Sequence, residues 1–275
     1  DKPSLMFWLF LCSTYKPRKA KNGSLNDKSI NDMIIKQKFS KLFVLMRNAR
    51  HLDEKRQGLH ASAIIDSDNH FCLREQVLSL LFEMDQGEEL PVKALQIFAA
   101  GTSIHEKWQN MIEKLSGEKG NSIKLIKNEA RSFNEKYEIY YTPDSIVEID
   151  GITYIMEYKS MNTYAYQSAI KSINPHPSAR KQIQLYMFLT GIENGIILIE
   201  DKNSQEFMTY RVKFNYHEVL PYISRLIDVQ EAKEEFLDSG DLPQRICKNA
   251  KAKRACECSM KSACFNLKKC KRIDQ

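Results

Sequence analysis

Apolar positions follow two rhythms along this chain, and the change comes near residue 122. Before it the spacing is helical. Over residues 29–50, Ile30, Met33, Ile34, Phe39, Leu42, Phe43, Leu45 and Met46 recur at the i, i+3, i+4 interval of a helix face. The apolar run over 5–11, behind Pro3 and Ser4, predicts a short buried helix. Residues 66–69 read as a turn and 73–84 as a helix. Gly101-Thr102-Ser103 opens another, with Ile104, Trp108, Met111, Ile112 and Leu115 as its buried stripe. A loop is expected over 117–121.

After residue 122 the alternation is that of strands, expected over 123–128, 137–141, 145–149, 152–159, 195–200 and 207–214. Between and after them, helices are predicted over 178–189, stopped by Gly191, and over 216–237. Helices on the faces of a sheet give an α/β core behind a helical N-terminal part. The expected organisation is 1–100 mainly helical, 101–240 the core and 241–275 a basic, cysteine-rich tail. No internal repeat is present.

Composition changes the picture at the two ends. With 275 residues, 43% of them hydrophobic and 28% charged, the chain is an ordinary globular sequence with material for a sizeable core. Over 241–275 there are ten Lys or Arg against three acids, while the whole chain carries +6. So basic a tail suits a polyanion such as nucleic acid, though a merely solvated tail has the same composition. The apolar run at 5–11 is too short to span a membrane, and Lys16, Arg18, Lys19 and Lys21 follow it in place of a cleavage site, so a cytoplasmic location is expected. Cysteines number seven, five of them in the last 29 residues. An odd, crowded set in a cytoplasmic chain points to metal or cluster ligation rather than disulfides.

The stretch over 143–159 carries the candidate chemistry. Asp150-Gly151 predicts a two-residue hairpin turn in which both residues take positive φ. Ile149 then faces Ile152, and counting back sets Asp144 opposite Glu157, with Cβ atoms about 5 Å apart. Lys159, two residues further, shares that face. Two facing carboxylates repel, and a divalent cation such as Mg²⁺ or Mn²⁺ resolves the conflict while activating a water and neutralising phosphate charge. The lysine would orient that water and stabilise the anionic transition state.

At this point the sequence resembles the RecB-like branch of the PD-(D/E)xK nuclease superfamily, which includes CRISPR-adaptation nucleases and phage exonucleases. Four motifs match in order. Gly101 to His105 resembles the GxxxH helix, Pro143-Asp144 the metal-binding Asp motif, Glu157-Tyr158-Lys159 the (D/E)xK motif, and Gln182 to Tyr186 the QhxxY helix. The resemblance implies a restriction-endonuclease-like core with a mixed sheet. It implies a metal held by His105, Asp144, Glu157 and the backbone carbonyl of Tyr158, a catalytic Lys159, and support from Gln182 and Tyr186. Relatives often have glycine two residues before the Asp, where this chain has Thr142. Glu129 matches an upstream acid of many relatives.

Several members of the branch hold a [4Fe–4S] cluster on one early and three late cysteines. Cys72, Cys258 and Cys264 match three of these, and Cys247 is the favoured fourth, with Cys256 as the alternative; zinc on the same thiolates is the rival occupant. Cys12 is expected in the N-terminal helix and Cys270 in a mobile end. The expected function is a metal-dependent exonuclease on single-stranded or frayed-end DNA, with Lys248, Lys251, Lys253 and Arg254 gripping backbone phosphates. A non-catalytic DNA-binding module and a site-specific endonuclease of the same fold remain open. So do a homo-oligomer, partner proteins from replication, recombination or CRISPR adaptation, and a bacterial or phage setting.

Overall fold

The computed structural model describes residues 58–273 except 69, 86–90, 119 and 130, and also residues 37 and 41. The chain divides into two compact units, Asp1–Ala49 and Arg50–Gln275, and nearly all described residues belong to the second. The helices expected over 5–11 and 29–50, with Cys12, fall outside the description, apart from residues 37 and 41, which are helical. The second unit runs β1 (Leu59–His60), α1 (Ala61–Ile64), α2 (Leu73–Leu81), α3 (Val92–Ser116), β2 (Ile123–Asn128), β3 (Ser132–Asn134), β4 (Ile139–Tyr141), β5 (Ser145–Ile149) and β6 (Ile152–Met161). It continues through α4 (Thr163–Ala169), α5 (Pro177–Thr190), β7 (Asn194–Asp201), β8 (Phe207–Lys213), α6 (Tyr216–Ser239), α7 (Lys253–Glu257) and α8 (Lys261–Phe265).

The turn between β5 and β6 forms as the Asp-Gly pair predicts, with φ of 51° at Asp150 and 78° at Gly151. It sets the ladder from Ile149 opposite Ile152 to Ser145 opposite Met156. Around this hairpin the strands order as β2-β5-β6-β7-β8. Only β6 and β7 pair in parallel, so the sheet is mixed. Their crossover is supplied by α4 and α5. The second of these is sharply bounded, by Pro177 in its first turn and by Gly191 at φ 74° after its end. Gly151→Ala puts a side chain at positive φ with nothing else in its way. The expected cost is about 1–2 kcal/mol, read as a melting temperature lower by roughly 2–8 °C.

Alternation along the central strands fills two cores. On one face Tyr154, Met156 and Tyr158 of β6 and Ile196 and Leu198 of β7 pack with Trp108 and Ile112 of α3. On the other, Ile155, Ile197 and Ile199 meet Ile183 and Met187 of α5 and Val219, Leu226 and Val229 of α6. Glu157 and Lys159 share the parity of Ile155, so they lie on the α5 face.

Three features depart from the sequence reading. Helix α3 starts at Val92 behind Pro91, not at Gly101. Thr102 and Ser103 lie mid-helix and return their hydroxyl protons to the carbonyls of Phe98 and Ala99. A second, three-stranded sheet orders as β1-β4-β3, and the strand expected over 137–141 shortens to β4 because Glu138 takes φ 48°. The tail is also not a loose end. Ile273 N–H donates to Leu81, Glu83 N–H to Lys271 and Asp85 N–H to Ser259, while Met260 and Ala263 are fully buried in the main core. Cys270, expected in a mobile end, packs half-buried against that core. Among the described residues no helix is long and apolar enough to cross a membrane.

Candidate active site

Strand β5 stops short of its neighbour. Its first residue, Ser145, sits opposite Met156, so Glu157, Tyr158 and Lys159 have no strand beside them on that edge. The Tyr158 N–H exposed there is taken by the Asp144 carboxylate, Oδ2, at 2.7 Å. The Asp144 carbonyl is itself held twice, by the Gln109 amide of α3 at 3.0 Å and by the Glu129 N–H at 3.0 Å. The other carboxylate oxygen, Oδ1, lies 3.3 Å from His105 Nδ1. The His105 ring stands edge-on to Tyr158 with centroids 5.8 Å apart. Tyr158 is fixed from below, its hydroxyl donating to Ser145 Oγ at 2.8 Å.

Glu157 is 1% exposed. Its Oε1 meets Lys159 Nζ at 2.5 Å, whereas its Oε2 is buried without a hydrogen-bond partner. Burial first, and the nearby Asp144 charge second, push its carboxyl up to about 8 despite the lysine. Burial works against the Lys159 ammonium, but the Glu157 charge and hydrogen bond outweigh it and raise its pKa. Burial likewise disfavours protonated His105, and Asp144 overcomes this and raises the imidazole pKa. On α5, Gln182 donates its amide to the Tyr186 hydroxyl at 2.9 Å. Tyr186 is buried and feels the charges of Glu157 and Asp144, all of which raise its pKa. His105, Asp144, Glu157, Lys159 and Tyr186 are thus electrostatically one group. Among the described residues, however, no three His, Cys, Asp or Glu side chains are gathered in a group that could hold a metal ion as they stand. Sequence reasoning missed Gln109, although it lies one helical turn from His105 on the same helix and could have been found by that spacing.

A second cluster lies at the other end of the chain's order. A shallow cleft is lined by Cys72, Cys247, Cys258 and Cys264, with Arg74, Arg245, Arg254 and Lys261 and one acid, Glu75, around them. Burial first, then Glu75, pushes the Cys258 thiol up to about 12. Cys256 is exposed and turned to the Ala250 carbonyl, outside this lining. Lys248, Lys251 and Lys253 are exposed, while Arg254 is half-buried and donates to the His70 carbonyl.

The fold and site together define a mixed α/β protein with two carboxylates, an imidazole and an ammonium at the open end of a hairpin. Among solved structures the chain is similar to the alkaline exonuclease LHK-Exo from Laribacter hongkongensis, at 18% identity and TM-score 0.43, over 66% of this chain and 92% of that one. In complex with dAMP, LHK-Exo matches at 18% identity and TM-score 0.44, over 66% and 90%. A phage related exonuclease from Haemophilus somnus 129PT matches at 16% identity and TM-score 0.41, over 68% and 98%. No family model and no curated protein matches the chain. The functional reading rests on the chemistry of the site.

Proposed function

We propose that this chain is a metal-dependent DNA nuclease of the PD-(D/E)xK type, an exonuclease on single-stranded or frayed-end DNA. The observation that carries this reading is Glu157, a carboxylate 1% exposed with one oxygen unpartnered beside a second carboxylate. Such an arrangement is costly unless a cation completes it. The donors suit Mg²⁺ or Mn²⁺, which take one or two carboxylates and fill the remaining positions with water and substrate oxygen. His105, Asp144, Glu157 and the Tyr158 carbonyl would hold the ion. When bound, it supplies a water of lowered pKa and offsets phosphate charge.

The chain's own groups do the rest. Lys159, pinned to Glu157 at 2.5 Å, orients the attacking water and donates to the phosphate oxygen that gains charge. Tyr186, steadied by Gln182, backs Glu157 and keeps bulk water from that side. Exposed Lys248, Lys251 and Lys253, with Arg254, bind backbone phosphates.

The same reading assigns a [4Fe–4S] cluster to Cys72, Cys247, Cys258 and Cys264. Four thiols on one cleft, with four Arg or Lys side chains against one acid, Glu75, in its lining, fit an anionic thiolate cluster. Cys256 is the substitute ligand and zinc the rival occupant. Anaerobically purified protein is expected to absorb broadly near ~400 nm, and a colourless protein carrying zinc would replace the cluster in this assignment. Reduced thiols and DNA occur together in bacterial cytoplasm, which suits a cellular or a phage protein.

The function is tested by incubating end-labelled linear DNA and closed circular single strands with Mn²⁺. Loss of the linear substrate alone is expected. Discrete fragments from both would make the protein an endonuclease, and no cutting of either would make it a binding module.

A further inference from the structure

The open edge of β6 continues past the groups that the mechanism uses. Backbone groups of successive strand residues point to opposite edges, and here both edges are marked. The Tyr158 N–H turns to the side where β5 is missing and meets Asp144 Oδ2 at 2.7 Å, whereas the Met161 carbonyl turns to the β7 side and accepts the Lys202 N–H at 2.9 Å. Ser160 has the parity of Tyr158, so its N–H faces the open edge, where the pairing with β5 reaches no further than Met156. Among the described residues no loop carbonyl or side chain accepts it. This amide lies about 6.6 Å further along the edge than the one held by Asp144. The Tyr158 carbonyl, assigned above to the metal, opens on the edge between the two, and Lys159 is the residue next to it in the chain.

We propose that the Ser160 N–H is a substrate-contacting donor that binds a non-bridging oxygen of the phosphate held between Lys159 and the ion site. This rests on the nuclease reading. An anionic oxygen is the fitting acceptor because the equivalent N–H two residues earlier already takes one, from a carboxylate, and a charged acceptor roughly doubles the strength of such a bond. A phosphate carries oxygens in more than one direction, so one can face the ammonium while another meets the amide. The donor is aimed by the strand itself, because residues 155–161 are all paired with β7 on the other side. Binding therefore orders no side chain to make this contact.

An ester at residue 160, with lactic acid in place of the amino acid, exchanges the N–H for an oxygen. Ser160→Ala has the same side chain and keeps the amide, so it is the reference. Ser160→Pro removes the same N–H by substitution, which an edge free of ladder bonds tolerates. Three quantities decide the matter: melting temperature, kcat/KM on a linear oligonucleotide with Mn²⁺, and Kd in EDTA for oligonucleotides with phosphate or uncharged methylphosphonate at the terminal linkages. The ester is expected to melt close to Ser160→Ala, since no ladder bond is lost, yet to cleave at least about tenfold more slowly. Its affinity gap between phosphate and methylphosphonate ends should also be smaller, since the two changes remove the same contact. Ser160→Pro should show the same two losses. An ester with the kcat/KM and the affinity gap of Ser160→Ala overturns the contact. So does a sharp fall in its melting temperature, which would place this N–H in the ladder with β7. Failure of the wild type itself to cut would sink the nuclease reading instead, and the affinity gap alone would then decide the contact.

Discussion

Lys159→Ala is expected to leave the protein folded and to lower kcat/KM for DNA cleavage by about a thousandfold or more, the scale of losing a donor aimed at developing charge. The fold survives because Glu157 need not remain a bare buried charge. Already held at about 8 by burial and Asp144, its carboxyl keeps its proton more firmly once the ammonium is gone. Lys159→Arg is not expected to rescue, since a planar fork cannot replace a compact ammonium packed on Glu157 Oε1 at 2.5 Å. Single-turnover cleavage with Mn²⁺, alongside a melting curve, reads both halves. A purified, folded Lys159→Ala protein that cuts at the wild-type rate ends the catalytic assignment.

The second large effect is on pH. The Glu157 carboxyl sits at about 8 in the folded, metal-free chain against 4.5 in the unfolded one. Between those values the folded chain binds a proton that the unfolded chain does not. Raising the pH through this window therefore weakens the metal-free fold by a few kcal/mol, and above about 8 the loss is complete. A divalent cation requires the ionised carboxylate, so it must displace that proton. Its affinity is expected to climb about tenfold per pH unit and to level off above about 8. Cleavage at limiting Mn²⁺ should climb with it. Melting curves in EDTA and in Mn²⁺ from pH 5 to 9 give the check: the EDTA curve falls, the Mn²⁺ increment widens, and Glu157→Gln flattens both. An increment of equal size at pH 6 and pH 8 contradicts the account.

The heart of the site was legible because one turn dictated it. Asp150 and Gly151 can form a two-residue hairpin only with positive φ at both, and that constraint is local, so five strand pairs followed from two residues. What was not legible depends on where elements stop and cross. Asp144 bonds to the Tyr158 N–H because β5 begins only one residue after it, and nothing in the alternation of apolar residues marks that start. Gln109 reaches the Asp144 carbonyl only because α3 lies across β6. Strand β1 is two residues long and pairs in parallel with β4, about eighty positions away, so no periodicity could announce it. Helix α4 was missed for a related reason: Thr163 to Ala169 is short and mostly polar, and its start is set by the Asn162 side chain accepting the Ala165 N–H.

The clasp between α2 and the C-terminal segment bears on how the molecule is made. Met260 and Ala263 complete the same core as Leu78 and Leu81, and the Leu81 carbonyl and the Glu83 and Asp85 N–H groups bond to Ile273, Lys271 and Ser259. During synthesis α2 emerges before residues 260 and 263, which pack in the same core as its apolar face. This clasp therefore closes after the hairpin of β5 and β6 has already had its neighbouring strands β2 and β7 for more than fifty residues of chain growth.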